Sequence, residues 1–93
     1  MANTEITNLF HKVIKYPLIT EKVITEIESK NKVSFIVEKN ASKSLINHAI
    51  SNYFDVEILS INTSNTSKGL KKAIVTFKKT EQATEVAVTL GVI

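Results

Sequence analysis

The sequence predicts an α+β fold: a largely antiparallel four-stranded sheet with packed helices, in the order β-α-β-α-β-β-α. Three observations carry that prediction. Val33-Ser34-Phe35-Ile36-Val37 and Ala73-Ile74-Val75-Thr76-Phe77 place apolar residues on alternate positions, the period of a strand with one face on a core. Other stretches repeat apolar residues three and four apart, the period of a helix lying on that core. The last two strands are joined by a short polar connector that has no room for a helical crossover, so they form a hairpin.

The elements follow in order. Asn3 or Thr4 caps a short amphipathic segment in which Ile6, Leu9, Phe10 and Val13 fall on one helical face, so residues 1–11 are either a short helix or an apolar tail along the core. Val13 to Tyr16 is a short strand ended by Pro17, which cannot donate to a ladder and holds Tyr16 extended. Thr20 caps a helix from Glu21 to Lys30 that packs through Val23, Ile24 and Ile27. Lys30-Asn31-Lys32 turns the chain into the strand Val33–Glu38, whose Val33, Phe35 and Val37 share a face.

Ser42 caps the next helix, with Leu45, Ile46, Ala49, Ile50 and Tyr53 at helical spacing and an end near Phe54-Asp55. The first hairpin strand is irregular. Val56 and Ile58 share one parity and Leu59 and Ile61 the other, which requires either burial on both faces or a bulge near Ile58. Asn62 to Ser67 offers only hydroxyls and amides, and Asn62 to Leu70 is read as the link between the strands. Thr80 caps a final helix with the stripe Ala83, Val86, Ala87 and Leu90. Gly91 sits at its left-handed C′ position, and Val92 and Ile93 fold back on the last turn.

Composition excludes several classes of function. At 93 residues and 43% apolar content, residues 1–93 make a single small domain. No apolar run approaches the ~20 residues of a membrane span, and Met1 to Ile14 lacks the layout of a secretory signal. The absence of cysteine removes disulfides, thiolate nucleophiles and Cys-ligated zinc. His11 and His48 have no acid at metal-ligand spacing, so no metal site is expected. The glutamates at 21, 26 and 28 read as a charged helix face and not as a catalytic pair. With Gly69 and Gly91 the only glycines, no phosphate-cradling loop can be built, and with no arginine there is no clamp for an acyl phosphate. The chain is therefore predicted to be no enzyme, with no catalytic residues and no cofactor. An RNA-recognition motif is disfavoured too, because Phe35 and Phe77 fall on the core face.

Charge points elsewhere. All twelve basic residues are lysine, and from Lys68 to Lys79 there are five lysines and no acid. Such a run either blocks an edge strand from further pairing or follows a phosphate backbone, with Asn, Ser and Thr bonding phosphate and ribose oxygens. Lysine is a point charge that suits phosphates, while bidentate reading of guanine favours arginine, so any RNA would be recognised by shape and backbone.

Six segments then occur in order and register: Val13-Ile14-Lys15-Tyr16-Pro17-Leu18-Ile19-Thr20-Glu21-Lys22, Ala41-Ser42-Lys43, Phe54-Asp55-Val56-Glu57, Ile61-Asn62-Thr63, Lys68-Gly69-Leu70-Lys71-Lys72-Ala73-Ile74-Val75 and Leu90-Gly91-Val92-Ile93. From Lys12 onward the chain resembles the L-twenty-three family of large-subunit ribosomal proteins. The resemblance implies a cytoplasmic protein of the large ribosomal subunit that binds the third domain of its rRNA at the rim of the polypeptide exit tunnel. On that reading rRNA contact falls to Lys15, Lys43, Asn62, Thr63, Lys68, Lys71 and Lys72, and Thr20, Glu21 and Lys22 form a docking point for factors that meet the nascent chain. Bacterial members carry a long basic loop that enters the tunnel; the short connector here is similar to the archaeal type. That favours the signal recognition particle, nascent-chain chaperones and the translocon as visitors, with neighbours such as the L-twenty-nine family and no small-molecule substrate. The rival readings are a free-standing RNA-binding module and an adaptor whose lysines only keep it soluble.

Overall fold

The computed structural model describes the backbone of residues 4–91 and side chains from Asn8 onward, so the expected cap at Asn3, the packing of Ile6 and the fold-back of Val92 and Ile93 lie outside what is described. The elements are α1 (Thr4–Val13), β1 (Ile14–Pro17), α2 (Glu21–Lys30), β2 (Lys32–Val37), α3 (Lys43–Phe54), β3 (Ile58–Asn65), β4 (Lys71–Phe77) and α4 (Gln82–Leu90). The predicted series is present with a helix ahead of it, and the four strands form one antiparallel sheet in the order β1-β2-β4-β3.

The register decides which residues share a face, because directly opposed residues of antiparallel strands point the same way. Val33 faces Val75, which faces Ile61, and Phe35 faces Ala73. These residues, with Val37 and Phe77, are buried in one core with Phe10 and Val13 of α1, Val23 and Ile27 of α2, Ile46 and Ile50 of α3, and Val86 of α4. All four helices therefore cover the same side of the sheet. The other side carries the rows Lys32-Thr76-Ser60, Ser34-Ile74-Asn62 and Ile36-Lys72-Ser64, with Tyr16 opposite Ile36, and no helix covers it among the described residues.

Both edge strands bulge. Ile58 faces Phe77 while Ser60 faces Thr76, leaving Leu59 extra and 65% exposed; this is the bulge that the mixed parity of β3 requires. In β1 the extra residue is Lys15, between Ile14 opposite Val37 and Tyr16 opposite Ile36. Bulges at sheet edges twist the exposed ladder and hinder pairing with another chain.

Two helix starts follow the sequence. Thr20 Oγ1 accepts a hydrogen bond from Val23 N at 3.2 Å, and Ser42 Oγ accepts one from Leu45 N at 3.1 Å. Three ends close on left-handed residues, Asn31 after α2 (φ 57°), Asp55 after α3 (φ 56°) and Gly91 after α4 (φ 78°). Two expectations are corrected. Ile24 is 37% exposed, so α2 packs through Val23 and Ile27, its neighbouring position turning toward solvent. Thr80 does not cap α4. The chain enters that helix through Glu81 at φ 66°, with no side-chain cap of its own.

The missing cap comes from 52 positions away. Asn31, itself left-handed at φ 57°, accepts from Ala83 N through Oδ1 at 2.8 Å. Its Nδ2 donates to the carbonyls of Phe77 (2.9 Å) and Lys79 (2.8 Å). One residue thus stops α2 with its backbone, and with its side chain holds the end of β4 and starts α4. At the other side of the helical layer, Phe10 of α1 stacks on Tyr53 of α3 with ring centres 3.9 Å apart and meets Phe54 edge-on at 5.4 Å.

Candidate nucleic-acid interface

The four strands contain Lys15, Lys32, Lys71 and Lys72 and no carboxylate; all nine acids of the chain lie in helices and connections. Among the described residues none of these strand lysines pairs with a carboxylate, the ion pair present being the exposed Lys78–Glu57 contact at 3.4 Å. The sheet is thus a one-signed surface.

Its hairpin end is built by a tight turn. Gly69 N donates to Thr66 O (3.0 Å), Thr66 N to Leu70 O (2.7 Å) and Leu70 N to Thr66 Oγ1 (3.2 Å). Gly69 holds φ +79°, a conformation that disfavours other residues, although a Cβ there would meet nothing within 4 Å. The turn presents Lys68 to solvent at its tip. The link between the strands is therefore Thr66 to Leu70 and not Asn62 to Leu70. β3 runs on through Asn65, because ladder pairing with β4 overrides the weak strand preference of Asn and Ser.

The sequence-predicted contact residues fall into three positions. Lys72 and the exposed Asn62 stand on the open face. Thr63 and Lys71 point to the helical side: Thr63 is half-buried opposite Ala73, and Lys71 Nζ donates to the carbonyl of Ala41. An ammonium has three donors, so Lys71 keeps two beyond that bond. Lys43, exposed two residues after Ala41, opens α3. Lys15 stands exposed on its bulge, one residue after Ile14; Ile14 faces Val37, which faces Lys71, so β1 begins at the hairpin end of the sheet. Lys15, Lys68, Lys71 and Lys72 are thereby brought to one end, with Lys43 joined to it through Ala41.

Lys32, Ser34, Ser60, Ser64 and Tyr16 also stand on the open face and were absent from the predicted set. The signal that could have found them is the lack of any acid in the strand segments, which is visible in the sequence.

The second predicted group leaves the sheet in the opposite direction. After Pro17, Leu18 N donates to Ser34 O at 2.9 Å, carrying the chain away from the hairpin end. Thr20 then caps α2, and Glu21 and Lys22 are exposed in its first turn. Ile19 (61% exposed) and Ile24 flank this turn, so the carboxylate stands beside exposed apolar surface. Among the described residues no cluster of histidines and acids is gathered for a metal, and no helix is long and apolar enough to cross a membrane.

Comparison with known proteins points to one family. The family model for ribosomal protein L23 matches residues 12–91, taking in all four strands and α2 to α4. Over 80 residues the chain is 48% identical to the large ribosomal subunit protein uL23 of Methanococcus maripaludis strain C7, covering 86% of this chain and 93% of that protein. Its counterpart in Methanococcus aeolicus is 44% identical over the same length.

Proposed function

The chain belongs to the ribosomal protein L23 family, and from that premise we infer that it is a structural, non-enzymatic constituent of the large ribosomal subunit that holds large-subunit rRNA through its acid-free sheet. The supporting observation is the separation of charge: every acid is kept out of the strands, and lysines gather around the hairpin turn. Ammonium groups of Lys15, Lys43, Lys68, Lys71 and Lys72 neutralise phosphates, while Asn62 and Thr63 supply hydrogen bonds beside them. No planar guanidinium fork is available, so the fit is to backbone shape in the third rRNA domain more than to base identity.

Thr20, Glu21 and Lys22 form part of a docking platform at the exit tunnel. The exposed carboxylate gives a visiting factor a charged contact and Ile19 an apolar one. The visitors are the signal recognition particle, nascent-chain chaperones and the translocon, and an L-twenty-nine family protein is a neighbour on the subunit. The five-residue turn is too short to extend into the tunnel as a long basic loop does.

Sedimentation of a tagged copy tests the assignment. The protein stays with the large subunit after a high-salt wash; recovery at the top of the gradient overturns the ribosomal role and leaves a free-standing RNA-binding module. On isolated rRNA, five phosphate contacts give a slope of log affinity against log salt of about −4. A flat response removes the RNA reading.

A further inference from the structure

Tyr16 is the one aromatic side chain on the open face among the described residues. Phe35 and Phe77 are buried in the core, and Phe10, Tyr53 and Phe54 pack on one another between α1 and α3. Tyr16 is 47% exposed and enters no such ring pair among the described residues. We propose that Tyr16 is a stacking platform for an unpaired base of the bound RNA, with Lys72 receiving an adjoining phosphate. This rests on the rRNA reading above and extends it from charge to base contact.

The backbone that carries the ring is held before any ligand arrives. Tyr16 sits opposite Ile36, which is 1% exposed, on a strand bracketed by Glu38 N donating to Val13 O at 2.7 Å and Leu18 N donating to Ser34 O. Pro17 restricts the backbone on its other side. A pre-set aromatic loses little freedom on binding, which is why rigid rings serve as anchors.

The surroundings suit a nucleotide. Lys72 lies in the same cross-strand row, two strand spacings or ~10 Å from Tyr16, with Ile36 between them and Ser64 beyond. Hydroxyls and an amide, Ser34, Ser64 and Asn62, can bond ribose or base edges, and no carboxylate in the strands repels phosphate. An aromatic beside point-charge lysines, without arginine, is the combination that accepts any base, because every base has a stacking face. The occupant is therefore an unpaired nucleotide and not the apolar side chain of a protein, which would gain nothing from the lysines.

The chain has two tyrosines and no tryptophan, so a Tyr53→Phe background makes Tyr16 the only tyrosine. The full-length variant is titrated with a nine-nucleotide oligoadenylate and with a transcript of the third domain of large-subunit rRNA. Stacking quenches tyrosine emission by more than half at saturation. In the same background Tyr16→Leu, which keeps apolar cover over Ile36, weakens binding roughly 5- to 100-fold, while Tyr16→Phe stays within about twofold. Unquenched emission at saturation, or Tyr16→Leu binding as tightly as its parent, overturns the stacking role. If that happens while Lys72→Ala still weakens binding and flattens the salt slope, the rRNA reading stands without it. If the parent shows no salt-dependent binding to the transcript at all, both fall.

Discussion

Lys71 and Lys72 are adjacent in the chain and do different work. Lys71 turns to the helical side and bonds the carbonyl of Ala41, tying β4 to the connection that leads into α3. Lys72 turns to the open face, half-buried between Ile36 and Ser64, and its ammonium makes no hydrogen bond or ion pair among the described residues. The contrast extends to the whole sheet. The helical side is made of Val33, Phe35, Ala73, Val75 and Phe77 and holds the molecule together; the open side carries lysines, hydroxyls, Asn62, Ile36, Ile74 and one tyrosine, and is the side proposed to meet RNA. One set of strands serves both purposes because successive side chains point to opposite faces.

Substitutions can separate the two sides. Phe35→Ala, at a side chain with no exposure, should cost about 3–5 kcal/mol of stability and remove RNA binding only by unfolding the sheet. Urea unfolding measures this, and a loss under about 1 kcal/mol would mean the helical side is not the stabilising one. Asn31→Ala should cost ~2–3 kcal/mol, three hydrogen bonds at about 1 kcal/mol each. Asn31→Gly, which keeps the left-handed backbone, should recover only a part. Hydrogen exchange at Ala83 N locates the effect, and unchanged protection there would remove Asn31 as the cap of α4.

The lysine pair gives the sharper comparison. Lys71→Ala should lower stability by about 1 kcal/mol through loss of its bond to Ala41. Lys72→Ala should leave stability within about 0.5 kcal/mol and reduce the salt slope of RNA binding by roughly 1. Both variants should lower the salt slope, so paired melting curves carry the difference, and equal stability of the two variants would dissolve the distinction. A similarly small structural effect belongs to Glu21→Lys. It removes a first-turn carboxylate from α2, worth about 0.3–1 kcal/mol, and should leave incorporation into the subunit intact while factor recruitment to washed ribosomes falls.

How much of this was legible in the sequence differs from element to element. Thr20, Ser42 and Gly91 act within a few residues of themselves, so local patterns were enough to place the ends of α2, α3 and α4 that they control. The start of α4 was not legible, because its cap is Asn31 and nothing local links position 31 to position 83. Asn62 to Asn65 have a composition suited to a loop, and only pairing with β4 makes them strand. The lysine run was readable as charge, and a period of two already sets Lys71 apart from Lys72. Which of them meets the helices depends on register, as does the position of Tyr16 beside Ile36. Contacts made by neighbours in sequence can be read from composition and spacing; those made across the sheet need the partner strand to be known.

The Asn31 clasp also has a consequence in time. Its three side-chain partners belong to residues 77, 79 and 83, so a chain still emerging during synthesis has α2 complete but left without its far anchor until residue 83 has been made. A version truncated just before Lys79 would have all four strands and still leave Val23, Ile27 and Phe35 without the helix that shares their core. Final assembly is thus deferred until α4 has been made.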